Sequence, residues 1–258
     1  MEKLVTSTEK FNGAVTELVI GPPPSNIVSE AAMGEIAVEL DKIIKDPNKK
    51  MIILTGAGDH FTFGASVQEH TPKQVGSMIP KFNIFIEKLL SCPVPILARV
   101  RGNCLGGGFE VVLGCHYIFA EKKASFAFAE IKLGVFPPPG SLLLPLMIGD
   151  KLACQIITTG AAKTGEELKA NNCVNEVYDN AAELDKSIET FVTKRILPLS
   201  ASSIRIAAQA ARMITVRLYR ENIKQMEDLY LKTLMSTHDA VEGITSFMEK
   251  RPPAWKNN

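Results

Sequence analysis

The sequence has almost no net charge. Its 258 residues include 29 basic and 28 acidic side chains, which leaves a formal charge of +1. Proteins that bind nucleic acid through its phosphates carry a basic excess, so nucleic acid is excluded as an expected partner. A low net charge together with 46% hydrophobic residues also excludes a mainly disordered chain. The length fits one large domain, or one domain with an appendage.

Metal-binding and disulfide patterns are missing as well. The five cysteines are odd in number and no two are spaced C-x-x-C, and the four histidines form no H-E-x-x-H or H-x-H pair. These spacings favour neither a zinc site nor a disulfide framework. We therefore predict no metal and buried free thiols in a reducing compartment.

No long apolar run is present. The most apolar stretch, residues 141–157, is interrupted by proline, glycine and charged residues at 145 and 149–151 and is too short to span a bilayer. Residues 1–13 lack the basic and apolar regions of a secretory signal. The sequence therefore predicts a soluble cytoplasmic protein with no membrane partner.

Short apolar runs alternate with amphipathic stretches, which predicts an α/β architecture. Strands are predicted at 15–20, 51–55, 96–100 and 117–120, and helices at about 26–45, 80–90 and 107–114. From about residue 199 only helical patterns remain, with an apolar stripe of Met226, Leu229, Tyr230 and Leu234. We therefore predict a core at 1–197 and a helical region at 198–258. That region serves assembly or packs on its own core.

A glycine cluster, Gly106-Gly107-Gly108, follows an apolar strand and begins a predicted helix. Consecutive glycines are costly in chain entropy, so they are expected where the backbone must approach another group closely. The first N–H groups of a helix can bind an anion or a developing oxyanion. The spacing matches neither a P-loop nor a dinucleotide-binding fingerprint. A purely structural turn remains the alternative.

Two glutamates with apolar neighbours flank this cluster. Glu110 lies in the first turn of the predicted helix, between Phe109 and Val111, and Glu130 follows the segment 126–129, F-A-F-A. Apolar surroundings raise the pKa of a carboxyl group and suit it to general acid–base chemistry. Either residue alone is also compatible with an ordinary helix-start or strand-end charge. The pair beside one glycine cluster favours a catalytic site.

Four motifs, in chain order, resemble the enoyl-CoA hydratase (crotonase) superfamily. They are H-F-T-F-G-A at 60–65, G-N-C-L-G-G-G-F-E at 102–110, A-E-I-K-L-G at 129–134 and E-G-I-T-S-F-M-E-K-R-P-P-A-W at 242–255. The resemblance implies a crotonase-like spiral of ββα units with a C-terminal helical trimerisation region. It also implies an acyl-CoA substrate, no cofactor, and a homotrimer or homohexamer.

The resemblance implies residue roles too. The N–H groups of Ala65 and Gly107 would form an oxyanion hole. Glu110 would act mainly on water and Glu130 would mainly deliver a proton. Further substrate contacts are implied at Gly64, Val67, Gly106, Phe136, Pro137 and Lys250. Basic residues that would neutralise the coenzyme A phosphates, or else are solvated surface charges, are Arg99, Arg101, Lys250 and Arg251.

The sequence departs from the family pattern in two places. Ser66 stands where the family usually has Asp, and the family's P-G-x-G-G stretch is P-P-P-G-S at 137–141, after Phe136. Residues 133–137, L-G-V-F-P, resemble the hydratases of cyclic dienoyl-CoA thioesters in anaerobic aromatic degradation. Because each proline fixes φ, this stretch predicts a rigid pocket wall suited to a flat ring, or else a stiff surface turn.

The function expected from these features is a hydro-lyase that hydrates cyclohexa-1,5-diene-1-carbonyl-CoA. Three alternatives remain open at this stage. They are a generic short-chain enoyl-CoA hydratase, an enoyl-CoA double-bond isomerase and a non-catalytic acyl-CoA-binding relative. The intact glutamate pair favours an active hydratase over the other classes.

Overall fold

A computed structural model of the chain describes residues 3–258. Met1 and Glu2, which begin the N-terminal segment and the predicted core, lie outside the described residues. The strands are β1 (Val5–Lys10), β2 (Val15–Ile20), β3 (Met51–Gly56), β4 (Ile96–Val100), β5 (Asn103–Leu105), β6 (Tyr117–Glu121), β7 (Ser125–Ala127), β8 (Lys163–Thr164) and β9 (Glu176–Tyr178). The α-helices are α1 (Glu30–Lys45), α2 (Val75–Leu90), α3 (Gly107–Gly114), α4 (Pro138–Ile148), α5 (Asp150–Thr159), α6 (Gly165–Ala170), α7 (Ala181–Phe191), α8 (Ala201–Asp228) and α9 (His238–Met248).

The main sheet has the strand order β1-β2-β3-β4-β6-β9 within the described residues. Only β1 and β2 pair antiparallel, and the other neighbours are parallel. The register aligns Leu18, Leu54, Ala98 and Ile118 in one buried row across four strands. A second, three-stranded sheet has the order β5-β7-β8. The predicted α/β class is confirmed.

The core lies on both faces of the main sheet, because successive strand residues point to opposite sides. Ile52 and Leu54 belong to the apolar cluster that contains α1, α2 and α3. Met51 and Ile53 belong to a second cluster with Leu184 of α7. Strands covered on both faces have continuous apolar runs, which explains why β3 and β4 could be predicted from the sequence.

The C-terminal helices pack on the core of their own chain. The Tyr219 hydroxyl of α8 donates to the Asn83 carbonyl of α2 at 3.0 Å, and the Arg205 guanidinium donates to the Ile44 carbonyl at 2.9 Å. A role in assembly, and the boundary between 197 and 198, stay predictions. The predicted stripe is wrong at Tyr230, which is buried within its own chain. Over residues 3–258, no helix is both long and apolar enough to cross a membrane.

Some elements differ from the sequence prediction. Helix α2 begins at Val75 rather than at Pro80, so the proline lies inside the helix. Glu130 lies in a short 3-10 helix, Ala129–Leu133, rather than at a strand end. Strand β1, the small sheet and helices α4 to α7 were not predicted, because most of them are short or lack a clear apolar period.

Candidate active site

A cavity of about 1060 Å³ lies among segments that are far apart in the sequence. It is lined by residues of 63–70, helix α2, 105–110, 129–138, Tyr230 and 243–253. Its wall is mostly apolar, with few polar groups, as is usual for a small-molecule site. All four motifs singled out in the sequence contribute to this wall.

Two backbone segments meet at one side of the cavity, at Ala65 and Gly107. Gly107 is the first residue of α3, where an N–H has no acceptor within the helix. A Cβ atom at Gly107 would lie only 2.9 Å from the Ala65 Cβ and 3.3 Å from the Ala65 nitrogen. Only glycine allows this approach, which brings the Ala65 nitrogen close to the start of α3. The backbone N–H groups of Ala65 and Gly107 are therefore the candidate donors on this side of the cavity. Two such donors could bind one oxyanion.

The loop before Ala65 is held by hydrogen bonds. The Gly64 N–H donates to the Thr62 Oγ1 at 3.0 Å, and the Val28 N–H donates to the Gly64 carbonyl at 3.0 Å. Gly64 has a φ of +111°, which side chains rarely tolerate. These hydrogen bonds and this backbone conformation therefore hold the Ala65 N–H in place.

Glu110 lies in the first turn of α3 and is only 4% exposed. Its Oε1 accepts a hydrogen bond from the Gly140 N–H at 2.9 Å, near the start of α4. Burial, and then the charge of Glu130, raise the pKa of Glu110 well above its ordinary value, although the Gly140 bond opposes the shift. At neutral pH this carboxyl can therefore hold a proton.

Glu130 lines the same cavity from its 3-10 helix, where the residue is partly exposed. Its Oε2 is buried and has no hydrogen-bond partner among residues 3–258. Burial raises the pKa of Glu130 from 4.5 to about 7. Gly106 faces this carboxyl, because a Cβ at Gly106 would lie 2.9 Å from the Glu130 Oε1.

The two carboxyl groups are electrostatically linked, since ionised Glu130 raises the pKa of Glu110. A buried pair of this kind favours the state with one proton, so one group is an acid while the other is a base. Such a pair can take a proton from one reactant and deliver a proton to another.

The proline stretch begins α4 rather than forming a surface turn. Pro137, Pro138 and Pro139 are buried, and the first two line the cavity together with Phe136. The Phe136 ring packs on the Tyr230 ring with centroids 5.4 Å apart. The result is a rigid apolar wall on the glutamate side of the cavity.

The remaining predicted contacts divide into two groups. Gly64, Val67, Gly106 and Lys250 line the cavity. Arg251 lines it too, but its guanidinium is bonded to Glu242, with the Nη2 at 2.9 Å from Oε2, and to Glu249 at 2.6 Å.

The structure does not bring Arg99 or Arg101 to the cavity, so as candidates for the coenzyme A phosphates they are wrong. Strand alternation places Arg99 on the α7 face, where it contacts Asp185 at 3.2 Å. Arg101 contacts the same Asp185 at 2.8 Å.

Sequence reasoning missed several polar residues of the cavity, namely Gln68, His70, Lys132, Ser246 and Tyr230. It assigned Tyr230 to the assembly stripe. A helical signal was available, because Tyr219 and Tyr230 are eleven positions apart and so share one helix face. The π-helical segment Leu229–Thr233 that carries Tyr230 has no such signal in the sequence.

Comparisons of the sequence with known proteins identify the family to which the chain belongs. Residues 10–258 match the family model described as enoyl-CoA hydratase/isomerase. The chain is 36% identical over 246 residues to a cyclohexa-1,5-dienecarbonyl-CoA hydratase of Thauera aromatica, covering 95% of this chain and 94% of that protein. It is 28% identical over 247 residues to a probable enoyl-CoA hydratase of Bacillus subtilis, covering 94% and 95%.

Solved structures show the same fold. An enoyl-CoA hydratase from Mycobacterium avium subsp. paratuberculosis superposes with a TM-score of 0.86 at 24% identity over 99% of each chain. An enoyl-CoA hydratase/isomerase from Pseudoalteromonas atlantica gives 0.83 at 25% identity, covering 98% of this chain and 100% of that one. The expected crotonase-like α/β fold with a C-terminal helical region is confirmed. The chain belongs to the enoyl-CoA hydratase/isomerase family and is an enzyme of its hydratase type.

Proposed function

We propose that this enzyme adds water to cyclohexa-1,5-diene-1-carbonyl-CoA. The observation that carries the proposal is the linked pair Glu110 and Glu130 in one apolar cavity, where the backbone at Ala65 and at Gly107 also meets. The similarity to the Thauera aromatica protein, which is named for this substrate, supports the choice of thioester. The chemistry uses groups of the chain alone, and no cofactor is part of the proposal.

The thioester oxygen would lie between the N–H groups of Ala65 and Gly107. Oxygen attack on the ring carbon β to the thioester carbonyl moves an electron pair onto that oxygen and gives a dienolate. Hydrogen-bond donors that face the developing charge stabilise this transition state, typically by about 3–4 kcal/mol per donor. The fixed loop at 64–65 allows the donors to act without reorganisation.

The glutamates would carry the two proton transfers. The pair can hold its one proton on either carboxyl, and the state that reacts has it on Glu130. As the carbon–oxygen bond forms, ionised Glu110 takes a proton from the water. Protonated Glu130 then delivers its proton to the α or γ carbon of the dienolate. Glu110 ends protonated and Glu130 ionised, so the pair still holds one proton and one molecule of water has been added.

The cavity wall would select the acyl group. Phe136, Pro137 and Pro138 cannot easily relax around a long flexible chain, because each proline fixes its φ and Pro138 begins α4. A flat six-membered ring loses little internal freedom on binding, so a preformed slot suits it.

Other substrate contacts follow from the lining of the cavity. We assign Gly64, Val67 and Gly106 to contacts with the thioester, and Lys250, an exposed cation of the lining, to a coenzyme A phosphate. Arg251 is a weaker phosphate candidate because Glu242 and Glu249 already hold its guanidinium.

The substrate proposal is tested by comparing kcat/KM for cyclohexa-1,5-diene-1-carbonyl-CoA and for crotonyl-CoA. We expect a higher value for the cyclic thioester. Phe136→Leu keeps an apolar side chain but removes the ring from the wall, so it should reduce the preference. Equal or better turnover of crotonyl-CoA by the unaltered enzyme would return it to the generic enoyl-CoA hydratases.

Assembly into a homotrimer or homohexamer remains part of the proposal, as does a cytoplasmic location. Helix α8 exposes Ile206, Met213 and Ile214 by 68%, 64% and 55%. Large exposed apolar side chains of this kind are typical of interfaces. Light scattering at micromolar concentration should report a trimer or hexamer, and a particle near 28.1 kDa would contradict it.

A further inference from the structure

Tyr230 has a hydroxyl group without a partner in the active-site cavity. The residue lines the cavity and is 1% exposed, and its hydroxyl is buried with no hydrogen-bond partner among residues 3–258. A buried polar group without a partner typically costs about 1–3 kcal/mol. Such a group in a ligand site is expected to bond to the ligand.

The backbone around Tyr230 also departs from a regular helix. Helix α8 ends at Asp228 and continues as the π-helical segment Leu229–Thr233. A π-helical turn rotates the following side chains relative to a regular α-helix, and such turns are frequent at functional sites. Within the described part of the chain, this turn carries the only tyrosine that lines the cavity.

A complementary group faces the same cavity. The Glu130 Oε2 is also buried and without a partner in the described chain, so the cavity holds an unmatched donor and an unmatched acceptor. Burial, and then the charges of Glu130 and Glu110, raise the pKa of Tyr230. The hydroxyl therefore stays protonated and acts as a donor near both carboxyls.

The water molecule in the proposed reaction has room for one more hydrogen bond. Its two hydrogens can donate to Glu110 and Glu130, and one lone pair attacks carbon. One lone pair of the oxygen is left to accept a hydrogen bond. Neither carboxyl fills that position, because ionised Glu110 can only accept and the proton of Glu130 is directed at the carbon that it protonates.

We propose that Tyr230 is a third catalytic residue whose hydroxyl donates a hydrogen bond to the oxygen that is added to the substrate. In dehydration this oxygen leaves carbon with growing negative charge, which the donor stabilises. Hydration crosses the same transition state, so the same bond lowers its barrier. This role rests on hydration by the Glu110–Glu130 pair and does not depend on a ring-shaped acyl group.

The matched variants are Tyr230→Phe and Tyr219→Phe, which each remove one buried hydroxyl from the same helical face. The Tyr219 hydroxyl donates to the Asn83 carbonyl and does not line the cavity. Tyr230→Phe should lower kcat about tenfold or more, since one lost bond to a developing charge is worth that factor. Its melting temperature should not fall. Tyr219→Phe should lose stability and retain kcat.

A binding comparison tests the bond without turnover. Calorimetry would measure the dissociation constants of 3-hydroxybutanoyl-CoA and of butanoyl-CoA. Each ligand would be titrated into the Glu110→Gln variant and into the double variant that also carries Tyr230→Phe. The added change should weaken binding of the hydroxylated thioester about tenfold and leave binding of the saturated one unchanged. Equal weakening of both ligands, or of neither, overturns the role of Tyr230.

The kinetic comparison and the binding comparison together separate this inference from the proposed function. If the unaltered enzyme hydrates neither cyclohexa-1,5-diene-1-carbonyl-CoA nor crotonyl-CoA, the proposed function fails. The binding comparison still decides in that case whether Tyr230 recognises the hydroxyl group. If hydration is normal and Tyr230→Phe keeps full kcat, the proposed function stands and the third catalytic residue is rejected.

Discussion

The Glu110 Oε1 accepts a hydrogen bond from the backbone N–H of Gly140 at 2.9 Å. This bond joins the first turn of α3 to the beginning of α4, across thirty positions of sequence. It fixes the direction of a carboxyl that would otherwise choose among several rotamers. The helix start that carries the proline wall thus also orients one of the two glutamates.

Gly140→Ala should therefore reduce activity although it leaves Glu110 in place. A Cβ at residue 140 would lie 2.5 Å from the Phe128 ring, so the start of α4 or the ring must move. We expect kcat to fall at least about tenfold, because small displacements of an acid–base group are costly. The control is Gly34→Ala, at an exposed helix position where a Cβ meets nothing within 4 Å. Unchanged kcat in folded Gly140→Ala protein would show that the bond does not matter.

Glu110→Gln and Glu130→Gln should each lower hydration at least about 100-fold. The amide keeps the size of the side chain but can neither take nor deliver the proton. Circular dichroism and melting curves would establish that both variants fold. Retained turnover in either one removes that glutamate from the mechanism.

Activity should depend on pH through this pair. The reaction needs one protonated and one ionised carboxyl, so kcat/KM should pass through a maximum. Because burial raises the pKa of Glu130 to about 7 and that of Glu110 well above its ordinary value, activity should fall as the pH drops below about 7. A profile that falls only below about pH 4.5, the ordinary range of glutamate, would contradict the burial of the pair.

The same pKa shifts predict how stability varies with pH. In the unfolded chain both carboxyls lose their protons near the ordinary value of 4.5, but in the folded chain they hold them to higher pH. The folded state binds more protons in this window, so the free energy of unfolding decreases as pH rises from about 5 through about 7. Glu130→Gln removes part of this dependence and should stabilise the protein by ~1–3 kcal/mol at pH 8. Urea unfolding of both proteins at several pH values checks the sign, and parallel curves would refute it.

Gly107 offers a separate test of the oxyanion hole. Gly107→Ala keeps the N–H but places a methyl group 2.9 Å from the Ala65 Cβ, so activity should fall. Gly107→Pro also removes the N–H, at the first position of α3 where a helix tolerates proline. We expect the proline variant to be about 100-fold less active than the alanine variant. Equal rates would show that this N–H is not a donor to the substrate.

The sequence contains the local parts of this structure but not the contacts between them. Strands β2, β3, β4 and β6 could be predicted because their apolar runs end at clear breaks. A functional site at the glycine cluster and the glutamate pair could be predicted, because three consecutive glycines and two carboxyl groups are unusual among apolar residues.

The long-range contacts could not be predicted. Nothing near Gly140 indicates that its N–H meets Glu110, and nothing near Tyr230 marks a π-helical turn. The prediction that Arg99 lies near the cavity was wrong because closeness in sequence did not mean closeness in space. Its position near the glycine cluster in sequence suggested the cavity, whereas strand alternation directs it to Asp185 on the other face of the sheet.

The central claim is that this site adds water to a conjugated cyclic thioester. The most direct measurement incubates the pure enzyme with cyclohexa-1,5-diene-1-carbonyl-CoA in water labelled with oxygen-18 and weighs the product. We predict an intact thioester that has gained one molecule of water and carries the label in a hydroxyl group. A product of unchanged mass, or release of coenzyme A with the label in a free carboxylate, would contradict the account.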